Sequence, residues 1–212
     1  YTNGHGNMNL SSAISSSCDI YFYKTIKYYD FDKLSSFYKM FGFGKPTGVD
    51  IQGESQGVVP TIDYMNKRYG RSGWSKGSLL NYCIGQGELL VTPMQVFNYT
   101  NLLATKGNTY RPHFVKKNKV LAQTDSIKIS NDIWDKIIDD MGKVVSDEKG
   151  TGKGADPSNT NAKVFGKTGT AENPHGEDHA WFVGWMNYYE KTYSIVVLLE
   201  NSGSGGAVAA PI

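Results

Sequence analysis

The segment Gly166-Lys167-Thr168-Gly169-Thr170 puts an ammonium group and two hydroxyls within four positions of a stretch rich in small residues. One chemistry for such a run is a phosphate loop. That needs a glycine five positions before the Gly-Lys pair, but Asn161 stands there and no helix pattern follows. The other chemistry is an edge strand facing a cleft. Lys167 would supply charge for a substrate carboxylate. Thr168 and Thr170 lie two apart, so their side chains share one face. Gly169 would let a substrate backbone approach closely, and the Thr170 N–H could donate to a developing oxyanion. The alternative is an ordinary Thr/Gly-rich strand.

Ser17-Cys18-Asp19 is a second signal. A hydroxyl and a carboxylate one residue apart can share a hydrogen-bond network at a helix junction. Ser130-Asn131-Asp132 repeats the pattern but is better read as a helix cap. A third signal, Cys83-Ile84-Gly85-Gln86-Gly87, runs into Thr92-Pro93 and reads as a tight turn feeding a helix. His175-Gly176-Glu177-Asp178-His179 offers metal-ligand types without a helical frame to aim them, and reads as a solvated hairpin loop. Cys83 is expected as a core thiol.

These groups need a scaffold. The chain has 212 residues, 39% hydrophobic and 20% charged, with a formal net charge of +2. That excludes a disordered polyelectrolyte, and no basic excess points to nucleic acid. No apolar run approaches the ~18 residues of a membrane span, and no signal peptide is visible. Two Cys are too few for a disulfide framework. The chain opens on Tyr1 and stops without a polar tail, so it is expected to be a piece of a larger protein.

Apolar spacing from Leu10 through Ile14, Cys18, Tyr21, Phe22 and Ile26 predicts one helix. A second has Asp32 as its N-cap and Gly42 as its stop. Residues 42–62 read as loop, and residues 63–82 as polar and aromatic with a helical start. Thr92, Pro93 and Gln95 form a capping box for a helix that ends at Gly107. Residues 109–116 look like a strand, Ser130 caps a helix running to Val145, and residues 146–161 form a polar loop. Three strand-like runs follow, Lys163–Glu172, Ala180–Tyr189 and Thr192–Glu200, with connections short enough for an antiparallel meander. Helices first and strands last predict an α+β fold.

Taken in order, these segments resemble the transpeptidase domain of a class B penicillin-binding protein over essentially the whole chain. The matching text is Gly4-His5-Gly6, Ser17-Cys18-Asp19-Ile20-Tyr21-Phe22-Tyr23, Phe41-Gly42-Phe43-Gly44, Thr47-Gly48-Val49-Asp50, Ile84-Gly85-Gln86-Gly87 with Thr92-Pro93, Tyr110-Arg111-Pro112-His113, Lys167-Thr168-Gly169-Thr170-Ala171 and His179-Ala180-Trp181-Phe182. Asp19 and the Gly-His-Gly segment are similar to the elongation-type penicillin-binding protein 2; division-type enzymes usually carry Asn at the first place. The resemblance implies an antiparallel sheet with helices packed on it plus a helical subdomain, here truncated at both ends, with residues 1–212 as one partial transpeptidase domain.

That family uses three motifs, Ser-x-x-Lys, Ser-x-Asn (or Asp) and Lys-Thr-Gly. The last two map onto Ser17–Asp19 and Lys167–Gly169. The first should precede Ser17, and residues 1–16 contain no lysine. Ser36–Lys39 and Ser146–Lys149 match Ser-x-x-Lys, but 18 Ser and 19 Lys in 212 residues give about 1.6 matches by chance. Both come after the second motif, so the nucleophile segment is expected upstream.

The resemblance implies that a serine is acylated by the D-Ala-D-Ala end of a peptidoglycan stem peptide and passes the acyl group to an amine, β-lactams blocking the serine. Ser17 would relay the proton. Asp19 would hold the missing lysine and bind the substrate amide. Lys167 would orient Ser17, and Thr168 and Thr170 would bind the terminal carboxylate. Thr170 N–H would complete an oxyanion hole. No cofactor is required. Some elongation-type members hold zinc at places similar to His5 and Cys18, with upstream carboxylates; a buried thiol and a loop histidine are the alternative. Implied partners are stem peptides, β-lactam antibiotics, a glycan-polymerising membrane protein and elongation scaffold proteins, with no nucleic acid. The implied location is the periplasmic face of the cytoplasmic membrane, anchored by an N-terminal helix outside this chain. A D,D-carboxypeptidase or β-lactamase-like hydrolase, and a non-catalytic scaffold homologue, remain alternatives.

Overall fold

The computed structural model describes residues 4–116, 123–158 and 160–212; Tyr1, and residue 159 of the loop expected over 146–161, lie outside them. The elements are helices α1 (Leu10–Ser15), α2 (Asp19–Thr25), α3 (Phe31–Met40), α4 (Ile62–Tyr69), α5 (Gly77–Cys83) and α6 (Pro93–Ala104), strands β1 (Asn108–Tyr110) and β2 (Gln123–Ser126), helix α7 (Asn131–Ser146), and strands β3 (Lys163–Ala171), β4 (His179–Tyr188) and β5 (Lys191–Leu199). They form two compact units. One holds residues up to Cys18, Thr100–Gly107 and Lys128–Ile212; the other holds Asp19–Tyr99 and Asn108–Ile127.

In the first unit the three strand-like runs pair as expected, in the order β3-β4-β5 and antiparallel. Opposed residues share a face of the sheet. Phe165 faces Trp185, and their rings stack at 5.1 Å. On the other face Ala180, Phe182 and Val197 are buried with Ala209 and Ala210. Ala209 ends, and Ala210 caps, a short π-helical turn, Gly205–Ala209. Gly166 opposes Gly184, which leaves room for the Phe182 ring; a Cβ on Gly166 would stand 2.4 Å from it.

Helix α7 packs along β3. Trp134, Met141, Val144 and Val145 are buried, as their spacing predicts, while Ile133 stays exposed. Ser130 sits at the N-cap, but its side chain makes no capping hydrogen bond. At Gly142 a Cβ would lie 3.4 Å from the Phe165 ring, an ordinary contact, so α7 and β3 pack here at the usual spacing.

The second unit is helical around Phe31, Met65 and Tyr82. The Phe31 and Tyr82 rings stack at 4.8 Å. The cap of α3 is Asp30, which accepts from Lys33 N–H at 2.6 Å, and not Asp32. The Asp32 carboxylate instead accepts from Ile62 N–H at 2.8 Å, tying α3 to α4. The Thr92–Gln95 capping box forms as read, with both reciprocal bonds present at 2.9 and 3.1 Å. The Gln95 amide also donates to the carbonyls of Lys45 and Gln56.

The strand expected over 109–116 is short. β1 ends at Tyr110 and pairs with β2. Beyond it Pro112 has no N–H to give, and the N–H groups of Phe114 and Val115 are taken by the Asp50 carboxylate at 2.7 and 3.2 Å. The Thr47–Asp50 and Tyr110–His113 stretches are therefore joined as a loop clamp.

Candidate active site

Apolar spacing runs through Leu10–Ile26, yet the helix breaks at Ser16–Cys18. Ser17 N–H donates to Ile14 O at 3.3 Å, and Cys18 N–H donates to Ala13 O at 2.9 Å. This is the paired closure of a Schellman motif, with Ser17 where glycine usually sits. Ser17 has φ 53°, a left-handed conformation that costs a residue with a Cβ about 1 kcal/mol or more. The break turns the Ser17 side chain out of the helical register. Asp19 then opens α2 in the second unit, where it is exposed.

Within the first unit Lys167 Nζ donates to Ser17 Oγ at 2.8 Å and to Thr168 O at 2.9 Å. The two side chains come from segments 150 positions apart. Thr168 is 9% exposed, and its hydroxyl lies 2.7 Å from that of Thr151. Thr170 is exposed, and its hydroxyl accepts from Gly205 N–H at 3.3 Å. Gly169 opposes Trp181, whose Cβ would lie 3.2 Å from a Cβ at Gly169. The glycine here makes room for a neighbouring strand. Among the described residues β3 pairs only with β4, so it is the edge strand expected.

Thr151 is the residue the sequence reading passed over as loop. Its N–H donates to Ser15 O at 3.1 Å while its hydroxyl meets Thr168. The turn after α7 thus ties the end of α1 to β3. The available signal was its frame, Gly150-Thr151-Gly152. A Cβ at Gly150 would stand 2.3 Å from the Val144 carbonyl oxygen, so the chain turns back on α7 only with glycine there.

The geometry defines a chemistry. An ammonium has donors only. Lys167 therefore occupies a lone pair of Ser17 and leaves the Ser17 proton free to be donated. The same charge, at a sheet edge, favours an approaching carboxylate. The pair can hold a hydroxyl as a proton relay beside an anion-attracting strand.

The other candidates fall outside this constellation. Ser36 is exposed and its hydroxyl donates to Asp32 O at 2.8 Å within α3. Ser146 and Lys149 are exposed at the end of α7. Of the expected hairpin-loop segment, residues 175–178 lie in the β3–β4 loop, but His179 opens β4, paired with Ala171, and its Nδ1 accepts from Asn201 N–H at 3.0 Å. Among the described residues no group of three His, Cys, Asp or Glu side chains converges. Cys18 is buried, with 4% exposure. His5 and Cys18 do not by themselves fit a four-ligand zinc site. The Cys83 thiol donates to Leu80 O, and burial followed by the nearby Asp19 charge pushes its pKa up to about 11.

The chain matches a family model described as the penicillin binding protein transpeptidase domain over residues 1–212. It is 36% identical to the peptidoglycan D,D-transpeptidase MrdA of Haemophilus influenzae over 99% of this chain and 36% of that protein. The structure superposes on penicillin-binding protein PBP2 of Helicobacter pylori, solved in complex with MreC, with a TM-score of 0.85 and 33% identity, covering 100% of this chain and 39% of the other. Pseudomonas aeruginosa PBP2, in complex with WCK 5153, gives a TM-score of 0.85 at 34% identity over 96% of this chain and 45% of the other. The chain thus spans under half the length of these relatives. With an antiparallel sheet, an edge Lys-Thr-Gly strand and a lysine-bonded serine at a helix break, the chain belongs to the penicillin-binding protein transpeptidase family.

Proposed function

We propose that residues 1–212 are part of one transpeptidase domain that cross-links peptidoglycan stem peptides through an acyl-serine, and that β-lactams block it. The observation that carries this reading is the 2.8 Å hydrogen bond from Lys167 to Ser17. It joins the second and third family motifs in a geometry suited to proton relay. The nucleophile comes from a Ser-x-x-Lys segment outside these residues; Ser36 and Ser146 are exposed and both follow the second motif in the chain.

In acylation the nucleophile oxygen attacks the carbonyl carbon of the penultimate D-Ala. The nucleophile's hydroxyl proton goes to the lysine of its own segment; the C–N bond breaks, and Ser17 passes its proton to the departing D-Ala amine and takes one back from that lysine. In transfer an acceptor amine attacks the ester carbonyl and gives up its proton along the same path. Lys167 orients Ser17 and draws in the terminal carboxylate, which Thr168 and Thr170 hold. Asp19 binds the lysine of the nucleophile segment and the substrate amide. Thr170 N–H and the nucleophile's own N–H receive the oxyanion, worth on the order of 10²–10³ in rate per donor.

The Helicobacter pylori relative was solved with MreC; we assign this chain a scaffold partner of that kind and, by family resemblance, a glycan-polymerising membrane protein. The site faces the periplasm. Among the described residues no helix is long and apolar enough to cross a membrane, so the anchor we propose lies outside them.

Intact mass of the full-length protein, with and without excess benzylpenicillin, tests the reading. One added penicillin is expected, and Lys167→Ala is expected to slow its addition by about 100-fold. A folded Lys167→Ala protein acylated at the wild-type rate would overturn it.

A further inference from the structure

Asp140 is a fully buried carboxylate in the apolar stripe of α7, with 0% exposure. A charge there is costly unless it is paired and hydrogen-bonded. It is both. Ser11 of α1 donates its hydroxyl to Asp140 Oδ1. Lys136, one turn back on α7, donates from Nζ to Asp140 Oδ2 and to Ser11 Oγ. Lys143, on the next turn, lies 3.5 Å from Asp140 Oδ1. The result is a closed triad of Ser11, Lys136 and Asp140 across the α1–α7 contact.

Helix α1 is one and a half turns long and ends in the strained Ser17 turn. So short a helix does not hold its place by itself. It is fastened to the rest of the unit at both ends. The Ser11–Asp140 bond secures its first turn, and Ser15 O, bonded by Thr151 N–H at 3.1 Å, secures its last. Helix α7 packs along β3, which carries Lys167. The frame that sets the Ser17–Lys167 distance therefore runs from β3 through α7 to Asp140, to Ser11 and along α1.

We propose that Ser11 and Asp140 are positioning residues for the reaction, fixing α1 on α7 so that Ser17 meets Lys167. The inference rests on the reading of Ser17 and Lys167 as the relay pair. Neither Ser11 nor Asp140 touches substrate. Their effect reaches the chemistry only through the placement of Ser17, where a misplacement of the order of 1 Å can cost about 100-fold in rate.

Ser11→Ala is the informative variant. It cuts the link to α1 and leaves the Asp140–Lys136 pair intact, so the fold is retained. In the full-length protein the acylation rate constant with benzylpenicillin is expected to fall about tenfold, with the non-covalent dissociation constant unchanged. Ser11→Thr, which keeps the hydroxyl, should recover most of the rate. In a Ser17→Ala background Ser11→Ala should cost nothing further, because the group it positions is gone. A merely structural role would add its loss in either background. Wild-type acylation by a folded Ser11→Ala protein would overturn the proposal, as would a loss fully additive with Ser17→Ala. If Ser17→Ala alone is acylated at the wild-type rate, the relay reading itself falls and takes this inference with it. If Ser17→Ala is slow and Ser11→Ala is not, only this inference falls.

Discussion

The hydroxyls of Thr151 and Thr168 meet at 2.7 Å across 17 positions of chain, one on the turn after α7 and one in the Lys-Thr-Gly strand. Thr168 is nearly excluded from solvent and Thr151 is half-buried, so the Thr168 hydroxyl depends on Thr151 for a partner on that side. Thr168→Val keeps the shape and strands Thr151. The variant should lose about 1–2 kcal/mol of unfolding free energy, and Thr168→Ser should lose much less. Urea unfolding of the two variants checks this; equal stability would show that the bond contributes nothing.

Glu54 organises the Thr47–Gly48 turn of the second unit. Its carboxylate accepts from Thr47 N–H at 2.8 Å, from the Thr47 hydroxyl, and from Gly48 N–H at 2.9 Å. Burial pushes its pKa up, but these bonds together outweigh it and hold the carboxyl below its ordinary 4.5. A depressed acid stabilises the fold fully above its unfolded pKa and loses that contribution as pH falls through the native one. Glu54→Gln should therefore cost about 1–3 kcal/mol at pH 7, and the gap to wild type should close as pH falls below about 4.5. Denaturation series from pH 7 downward measure both; a gap that does not narrow as pH falls would assign the effect to packing.

Gly205 lies against the backbone of β3 and β4. A Cβ there would stand 2.1 Å from the Gly169 carbonyl oxygen and 2.3 Å from that of Trp181. Both obstacles are backbone in a paired sheet and cannot swing aside. Gly205→Ala should cost about 1–3 kcal/mol or more and slow acylation, because relief must come from moving β3 or the Gly205–Ala209 turn. Thermal unfolding and penicillin acylation of this variant check the two parts. Wild-type values in both would show that the turn shifts freely.

The sheet was legible before folding. The three C-terminal runs are strand-like, the middle one alternating with period two, and the connections between them are short, so their meander follows from local pattern. The α6 capping box and the apolar face of α7 were legible for the same reason, since their bonds lie within one turn. The strand over 109–116 was not. Pattern sees the apolar residues Phe114 and Val115, but their N–H groups go to Asp50, 64 and 65 positions away.

Ser17 and Lys167 are marked by residue type and by order along the chain, and the family resemblance of that order is what suggests a chemistry for them. The amino-acid order also sets the helical spacing that carries Leu10 to Ile26. It does not show that this helix breaks at Ser17. That break puts a serine into a backbone region where glycine is favoured, and it holds only because surrounding contacts offset the strain. Nor could Ser11 or Asp140 be picked out in advance, and Thr151 only through its glycine frame. A buried Asp among the apolar positions of a helix looks like a surface residue until a partner 129 positions away occupies it. Local periodicity is written in neighbours a few residues apart. The site is written in contacts between distant segments, which exist only once the chain has closed on itself.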